Sequence, residues 1–168
     1  MIDLDIINAW GEAEARAAFL RCCGSRSWAA RMAGRRPFPT EADLFVSAEE
    51  DWRGLTREDW LEAFAAHPRI GDLDSLRQKF AATAAWPEGE QAGVRGAPEE
   101  VLRALAEGNG AYEARFGYLF IVCATGKTAE EMLALLRRRL ANGPDEELLL
   151  AAAEQEQITR LRLQKLTP

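Results

Sequence analysis

The chain contains one histidine, His67, and its imidazole is the side chain best suited to proton transfer near neutral pH. Pro68 follows it and disfavours the α conformation in the preceding residue, so the sequence predicts that a helix ends at about Ala66 and leaves His67 in a turn. The dipole at a helix C-terminus favours the protonated imidazole, so we expect His67 to give or take a proton near pH 7. A purely structural histidine is the competing interpretation.

A second candidate is the pair Glu90-Gln91, a carboxylate beside an amide in a segment between two predicted helices. A tryptophan and a glycine flank this pair. A solvent-exposed helix start would also explain it, so the pair alone leaves its role open.

The last predicted helix carries Glu154, Ile158 and Arg162 at i, i+4 and i+8, which places them in one row. This row runs beside apolar surface, and a buried Arg162 needs a carboxylate partner or an anionic ligand. The alternatives are a structural Glu154–Arg162 ion pair, or an arginine that reaches past apolar surface to water. Arg160 lies on the far side of the helix and is expected to face solvent.

The three cysteines do not form an obvious site. Cys22 and Cys23 are adjacent, which would strain a disulfide between them, and neither has an assignable basic partner. Cys123 lies in an apolar run and is predicted to be a buried small residue. With one histidine and no C-x-x-C spacing, the sequence does not favour a zinc site. We therefore expect reduced thiols and a cytoplasmic protein.

Helical periodicity runs through almost the whole chain, with polar caps and Gly or Pro breaks between the segments. The predicted helices cover residues 8–23, 25–34, 41–53, 56–66, 72–85, 98–116, 128–141 and 145–166, with ends that are approximate. The apolar run 116–124 fits a strand or a buried helix equally well. We find no repeat and no long linker, so the sequence predicts an all-α, single-domain bundle of about eight helices over residues 1–168.

The overall charge restricts the partners. The chain has 21 basic and 27 acidic residues, a formal net charge of −6, which argues against a nucleic acid or an anionic membrane. No apolar run approaches the roughly 18–20 residues that span a bilayer, and the acidic start is unlike a signal peptide. An anionic small molecule remains compatible, because a local arginine can outweigh the global charge.

Four separated motifs, in this order and spacing, resemble the 2-oxo-4-hydroxy-4-carboxy-5-ureidoimidazoline (OHCU) decarboxylase family of urate degradation. They are HPRIG at 67–71, EQAG at 90–93, NGAYEARFGYLFI at 109–121 and EQEQITRLRL at 154–163. The resemblance extends over residues 7–166. It implies an all-helical, usually dimeric enzyme without a metal or organic cofactor, which converts the small molecule OHCU to (S)-allantoin and CO2.

The resemblance also implies roles for individual residues. His67 and Glu90 match the catalytic pair of the family, and Gln91 and Arg162 match residues that bind the substrate, Arg162 at its carboxylate or the neighbouring polar groups. Three further residues match positions that line the pocket: Pro68, Phe120 and Ile121.

One position departs from the family pattern. Pro87 stands where relatives often carry a substrate-binding serine, so that contact is either absent or supplied by another donor such as Thr83. Two other functions stay open on the sequence alone: a non-catalytic helical binding or scaffold domain of the same fold, and a related enzyme that acts on another ureido substrate.

Overall fold

The computed structural model describes residues 2–69, 72–82 and 97–166, and this part of the chain is all-helical, with nine helices and no strand. None of the described helices is long and apolar enough to cross a bilayer. The all-α prediction is confirmed. The helices are α1 Leu4–Ala9, α2 Glu12–Cys22, α3 Arg26–Arg35, α4 Glu41–Arg53, α5 Arg57–Ala65, α6 Leu73–Ala82, α7 Glu99–Phe116, α8 Ala129–Leu140 and α9 Pro144–Gln164.

Four of the predicted helix starts have the side-chain caps that the sequence indicated. The hydroxyls of Ser25, Thr40, Thr56 and Thr128 each accept a backbone N–H from the first turn of the helix that follows. Thr56 and Thr128 form full capping boxes, in which an acidic side chain also accepts the N–H of the cap residue. These starts were predictable because each cap uses residues within three positions.

The prediction of one helix over 8–23 is wrong, because α1 ends at Ala9 and α2 starts after Gly11. Asn8 does not cap a helix. Its side-chain amide donates to the Phe38 carbonyl (3.0 Å) and accepts the Phe38 N–H (2.8 Å). A partner 30 residues away therefore replaces the local cap.

The apolar run 116–124 is neither strand nor helix beyond Phe116. Gly117 ends α7 in the left-handed conformation (φ +82°), and its N–H donates to the Glu113 carbonyl at 2.8 Å. Glycine adopts this conformation without the steric cost of a Cβ atom.

The chain divides into two compact units. The first unit contains Met1–His67, Ile121–Cys123 and Leu149–Pro168, and the second contains Pro68–Phe120 and Ala124–Leu148. The single-domain prediction for 1–168 stays a prediction.

Buried tryptophans connect the helices of the first unit. The Trp28 indole N–H donates to the Ala48 carbonyl (3.0 Å) and joins α3 to α4, while the Trp52 indole N–H donates to the Ala152 carbonyl (2.9 Å) and joins α4 to α9. Burying each indole stabilises the fold by about 1.5–3 kcal/mol, and each polar N–H keeps a partner. The register of α9 against α4 is thus set close to the residues described below.

A buried ionic network lies in the core of the second unit. Glu147 is fully buried (0% exposed), and its carboxylate accepts hydrogen bonds from Arg139 (2.7 Å from Nε), Asn142 (3.0 Å) and the Tyr112 hydroxyl. Burial and the bond to Glu147 raise the pKa of Tyr112 far above its ordinary value. This network joins α7, α8 and α9 within the second unit.

Candidate active site

His67 lies just beyond the end of α5, as predicted. The last turn tightens: the Ala66 N–H donates to the Ala63 carbonyl (3.3 Å) and the His67 N–H to the Phe64 carbonyl (3.2 Å). The helix ends at Ala65, with Ala66 as its cap. The residue before a proline avoids the helical conformation, which explains why the chain leaves the helix here.

Gly24 allows the turn between α2 and α3 to approach the end of α5. A Cβ atom on Gly24 would overlap the Cβ of Ala66 and lie 3.6 Å from the Ala63 carbonyl oxygen. Only glycine fits this close approach without displacing the residues directly before His67.

The imidazole of His67 has a specific partner, Gln155 of α9. The Nε2 atom of His67 hydrogen-bonds to Oε1 of Gln155, and Nε2 of Gln155 donates to the Thr159 hydroxyl at 3.1 Å. Gln155 is fully buried and Thr159 is 6% exposed. These two residues were missed, since the predicted row of Glu154 and Arg162 lies on the neighbouring face of α9. The available signal was the four-residue spacing of Ala151, Gln155, Thr159 and Leu163, all of which are buried.

The charge state of His67 differs from the expectation. Burial lowers the pKa of His67 below its ordinary value of 6.5, and the positive charge of Arg162 lowers it further, while the hydrogen bond to Gln155 opposes both. The expected effect of the helix dipole, which favours the protonated form, is therefore outweighed by desolvation. The imidazole is neutral at pH 7.

Arg162 is oriented by the end of α2. One of its guanidinium nitrogens donates to the Cys22 carbonyl at 3.3 Å, where the partial negative charge of the helix C-terminus favours a cation. An arginine has five N–H donors, so others can receive a carboxylate. Within the part of the chain that the structure describes, Arg162 makes no ion pair with Glu154, so the alternative of a structural Glu154–Arg162 ion pair is wrong.

Glu154 instead binds backbone. Its carboxylate accepts the Cys123 N–H at 2.6 Å, which holds the short segment Ile121–Cys123 against α9 in the first unit. Ile121 is 2% exposed and belongs to the core of this unit.

The cysteines near Arg162 are unsuited to nucleophilic chemistry. Cys22, Cys23 and Cys123 are buried free thiols, which confirms the prediction for Cys123. Burial raises the pKa of Cys22 to about 12 and that of Cys23 to about 11, despite the opposing charge of Arg162. Both remain thiols at neutral pH.

Two of the other predicted site residues are assigned to the second unit, and two fall outside the described residues. Pro68 and Phe120 belong to the second unit, where Pro68 is exposed and the Phe120 ring packs against Tyr112 (5.2 Å between centroids) and under Arg139 (4.7 Å). Glu90 and Gln91 fall outside the described residues, as do two further positions of the analysis: Pro87 and Thr83. The structure therefore places His67, Ile121 and Arg162 in the first unit.

The described helices place a neutral histidine within the electrostatic influence of a partly buried arginine. Such a pair can bind an anionic small molecule and transfer a proton to or from it. The profile of the OHCU decarboxylase family matches residues 8–164, so the chain belongs to this family.

Relatives of known activity are similar over most of the chain. The uric acid degradation bifunctional protein TTL of Arabidopsis thaliana is 37% identical over 147 residues, which is 86% of this chain and 45% of the relative. The 2-oxo-4-hydroxy-4-carboxy-5-ureidoimidazoline decarboxylase of Amia calva is 32% identical over 129 residues, which is 77% of this chain and 73% of the relative. The chain thus spans less than half of the Arabidopsis protein.

Solved structures share the fold. An OHCU decarboxylase crystallised in the presence of (S)-allantoin has a TM-score of 0.72 and 38% identity, and the match covers 88% of this chain and 95% of that one. An (S)-allantoin synthase has a TM-score of 0.70 at 19% identity, and its match covers 98% of this chain and 54% of that one, a likeness of fold alone.

Proposed function

We propose that this chain is a carboxy-lyase of urate degradation, which converts OHCU to (S)-allantoin and CO2 without a metal or organic cofactor. The observation that carries the proposal is the neutral His67, held against a buried glutamine and within reach of the charge of Arg162. Family membership and the decarboxylase from Amia calva support the same reaction.

The proposed reaction needs only proton transfer and charge stabilisation. The bond between the ring carbon and its carboxylate breaks and CO2 leaves. The electron pair forms a C=C bond to the neighbouring ring carbon, the π pair of that carbon's C=N bond moves to the nitrogen, and the nitrogen takes a proton from solvent. The hydroxyl on the same carbon then becomes a carbonyl, and its proton moves to the neighbouring carbon. A neutral imidazole can accept that proton and return it to one face, which yields one enantiomer.

Each matched residue has a proposed task. His67 is the acid and base, Glu90 sets its protonation or polarises the substrate hydroxyl, and Arg162 binds the carboxylate through N–H groups not used by the Cys22 carbonyl. Four residues are proposed to contact the rest of the substrate: Pro68, Gln91, Phe120 and Ile121.

We also propose that the protein is a cytoplasmic homodimer whose partners are its small-molecule substrate and its second copy. The free thiols of Cys22, Cys23 and Cys123 support a reducing compartment. The usual dimeric state of the family supports the assembly, and sedimentation of the full chain would test it.

The direct test generates OHCU from urate in the cuvette, adds the protein and follows circular dichroism. We expect (S)-allantoin to appear faster than in the spontaneous reaction, and His67→Asn to return the rate to the spontaneous value. Arg160→Gln serves as the matched control, because Arg160 is exposed and pairs with Glu49. A wild-type rate equal to the spontaneous one would contradict the proposal and favour a non-catalytic domain or another ureido substrate.

A further inference from the structure

We infer that Gln155 is a positioning residue: it holds His67 in the tautomer that carries the proton on Nε2, so that Nδ1 is the atom that accepts and returns the substrate proton. This inference rests on the proposed function, since it assigns the reacting nitrogen of His67.

The orientation of the Gln155 amide carries the first step. Its nitrogen donates to the Thr159 hydroxyl at 3.1 Å, so its oxygen faces Nε2 of His67. An amide oxygen only accepts hydrogen bonds, and the imidazole nitrogen that faces it must therefore donate. With Gln155 fully buried, water does not compete for its amide oxygen or its amide nitrogen.

Thr159 is 6% exposed, and its hydroxyl accepts the hydrogen bond from Nε2 of Gln155 at 3.1 Å. Gln155 and Thr159 are four residues apart on α9, so the helix sets their separation.

The helix that carries this pair is anchored by two contacts just before Gln155. The Trp52 indole N–H binds the Ala152 carbonyl at 2.9 Å, and Glu154 binds the Cys123 N–H at 2.6 Å. Gln155 therefore presents a fixed acceptor to the imidazole.

The opposite tautomer would set a lone pair of Nε2 against the buried amide oxygen and leave both acceptors without a hydrogen. Since the neutral imidazole carries a single N–H, using it on Gln155 leaves Nδ1 with a free lone pair. The proton of the substrate hydroxyl can be received only at such a lone pair.

Because the chain has one histidine, the two ring-nitrogen signals in a 15N NMR spectrum report its tautomer, and no residue assignment is needed. The tag-free protein is labelled with 15N-histidine and recorded at pH 8, where the imidazole is neutral. We expect a protonated Nε2 and an unprotonated Nδ1. We expect Gln155→Met and Thr159→Val to give a mixture of tautomers, and Thr159→Ser, which keeps the hydroxyl, to restore the wild-type spectrum. Gln157→Met is the matched control, because Gln157 is exposed on the same helix.

Activity gives the second readout. We expect Gln155→Met to lower kcat by about 10- to 100-fold with little change in KM, as loss of the partner that orients a functional histidine typically does. The Gln157→Met control should retain wild-type kcat. If Gln155→Met fails to fold, Thr159→Val carries both measurements.

The two readouts separate the two proposals. An Nδ1–H tautomer in the wild type, or an unchanged tautomer and kcat in both Gln155→Met and Thr159→Val, would overturn the role of Gln155 even in an active enzyme. An inactive wild type with the expected tautomer would overturn the proposed reaction, and with it a role for Gln155 in that reaction, while the Nε2–H assignment would stand.

Discussion

Burial and a nearby cation act in the same direction on the single histidine of this chain. Both favour the neutral imidazole, whereas the hydrogen bond to Gln155 favours the protonated one, and the pKa of His67 falls below 6.5. A neutral histidine starts a reaction as a base, so the first proton that His67 handles is one that it accepts.

The lowered pKa of His67 determines how activity and stability depend on pH. We expect kcat/KM to be constant at pH 7 and above and to fall along an acid limb whose midpoint lies below pH 6.5, because protonation of His67 removes the base. The unfolded chain binds more protons than the folded chain in the window below 6.5, so the contribution of His67 to the free energy of unfolding is lost as pH falls through that window. Rate profiles and NMR titration of His67 measure both, and a midpoint above 6.5 would contradict the expectation.

Arg162 contributes to the lowered pKa of His67, and its contribution can be measured separately from that of burial. Arg162→Gln removes the positive charge, so the pKa of His67 should rise towards 6.5, and KM should increase because a carboxylate ligand is lost. NMR titration of His67 and steady-state kinetics measure these effects. Arg160→Gln is the control, since Arg160 lies over the Phe45 ring (4.4 Å) and pairs with Glu49. Equal effects of the two substitutions would refute the assignment.

At the scale of elements, α9 presents different groups on adjacent faces. Glu154 binds the Cys123 backbone, Gln155 binds both the imidazole and the Thr159 hydroxyl, and Arg162 reaches the end of α2. A helix turns about 100° per residue, so neighbouring positions serve different partners. A shift of α9 would disturb all of these contacts together.

The contact between the α2–α3 turn and α5 gives a prediction at this scale. Gly24→Ala should displace the end of α5, because the new Cβ would overlap Ala66, and should lower the free energy of unfolding by about 1–3 kcal/mol together with kcat. Urea unfolding and the allantoin assay measure both.

Gly34→Ala provides the control for this substitution. A Cβ on Gly34 meets nothing within 4 Å and lies in α3, so it should stabilise the protein by up to about 1 kcal/mol and leave kcat unchanged. If Gly24→Ala were as well tolerated as Gly34→Ala, the close approach would have no role.

At the scale of the whole molecule, stability depends on polar groups in the core of the second unit as well as on apolar packing. Glu147→Ala would remove the buried carboxylate that pairs with Arg139, 6% exposed, and should lower the free energy of unfolding by about 3–5 kcal/mol. Urea unfolding measures this loss. Glu146→Ala is the control, because Glu146 is exposed in the same first turn, and comparable losses in both variants would contradict the expectation.

Helix content was predictable across most of the chain because it depends on local rules. The caps at Ser25, Thr40, Thr56 and Thr128 act within three residues, and Pro68 acts on its immediate neighbour. The exception at Asn8 arose because its amide found Phe38, a partner distant in sequence.

The sequence by itself determined the all-helical class, the end of α5 before His67 and the family motifs, since these follow from residue types and their spacing. Only the tertiary structure decided the charge of His67 and the identity of its partner. Desolvation depends on what packs around a side chain, and Gln155 lies 88 residues away along the chain. The same holds for Arg162, whose partner is the Cys22 carbonyl rather than a carboxylate on its own helix, because helix packing brings that carbonyl within 3.3 Å.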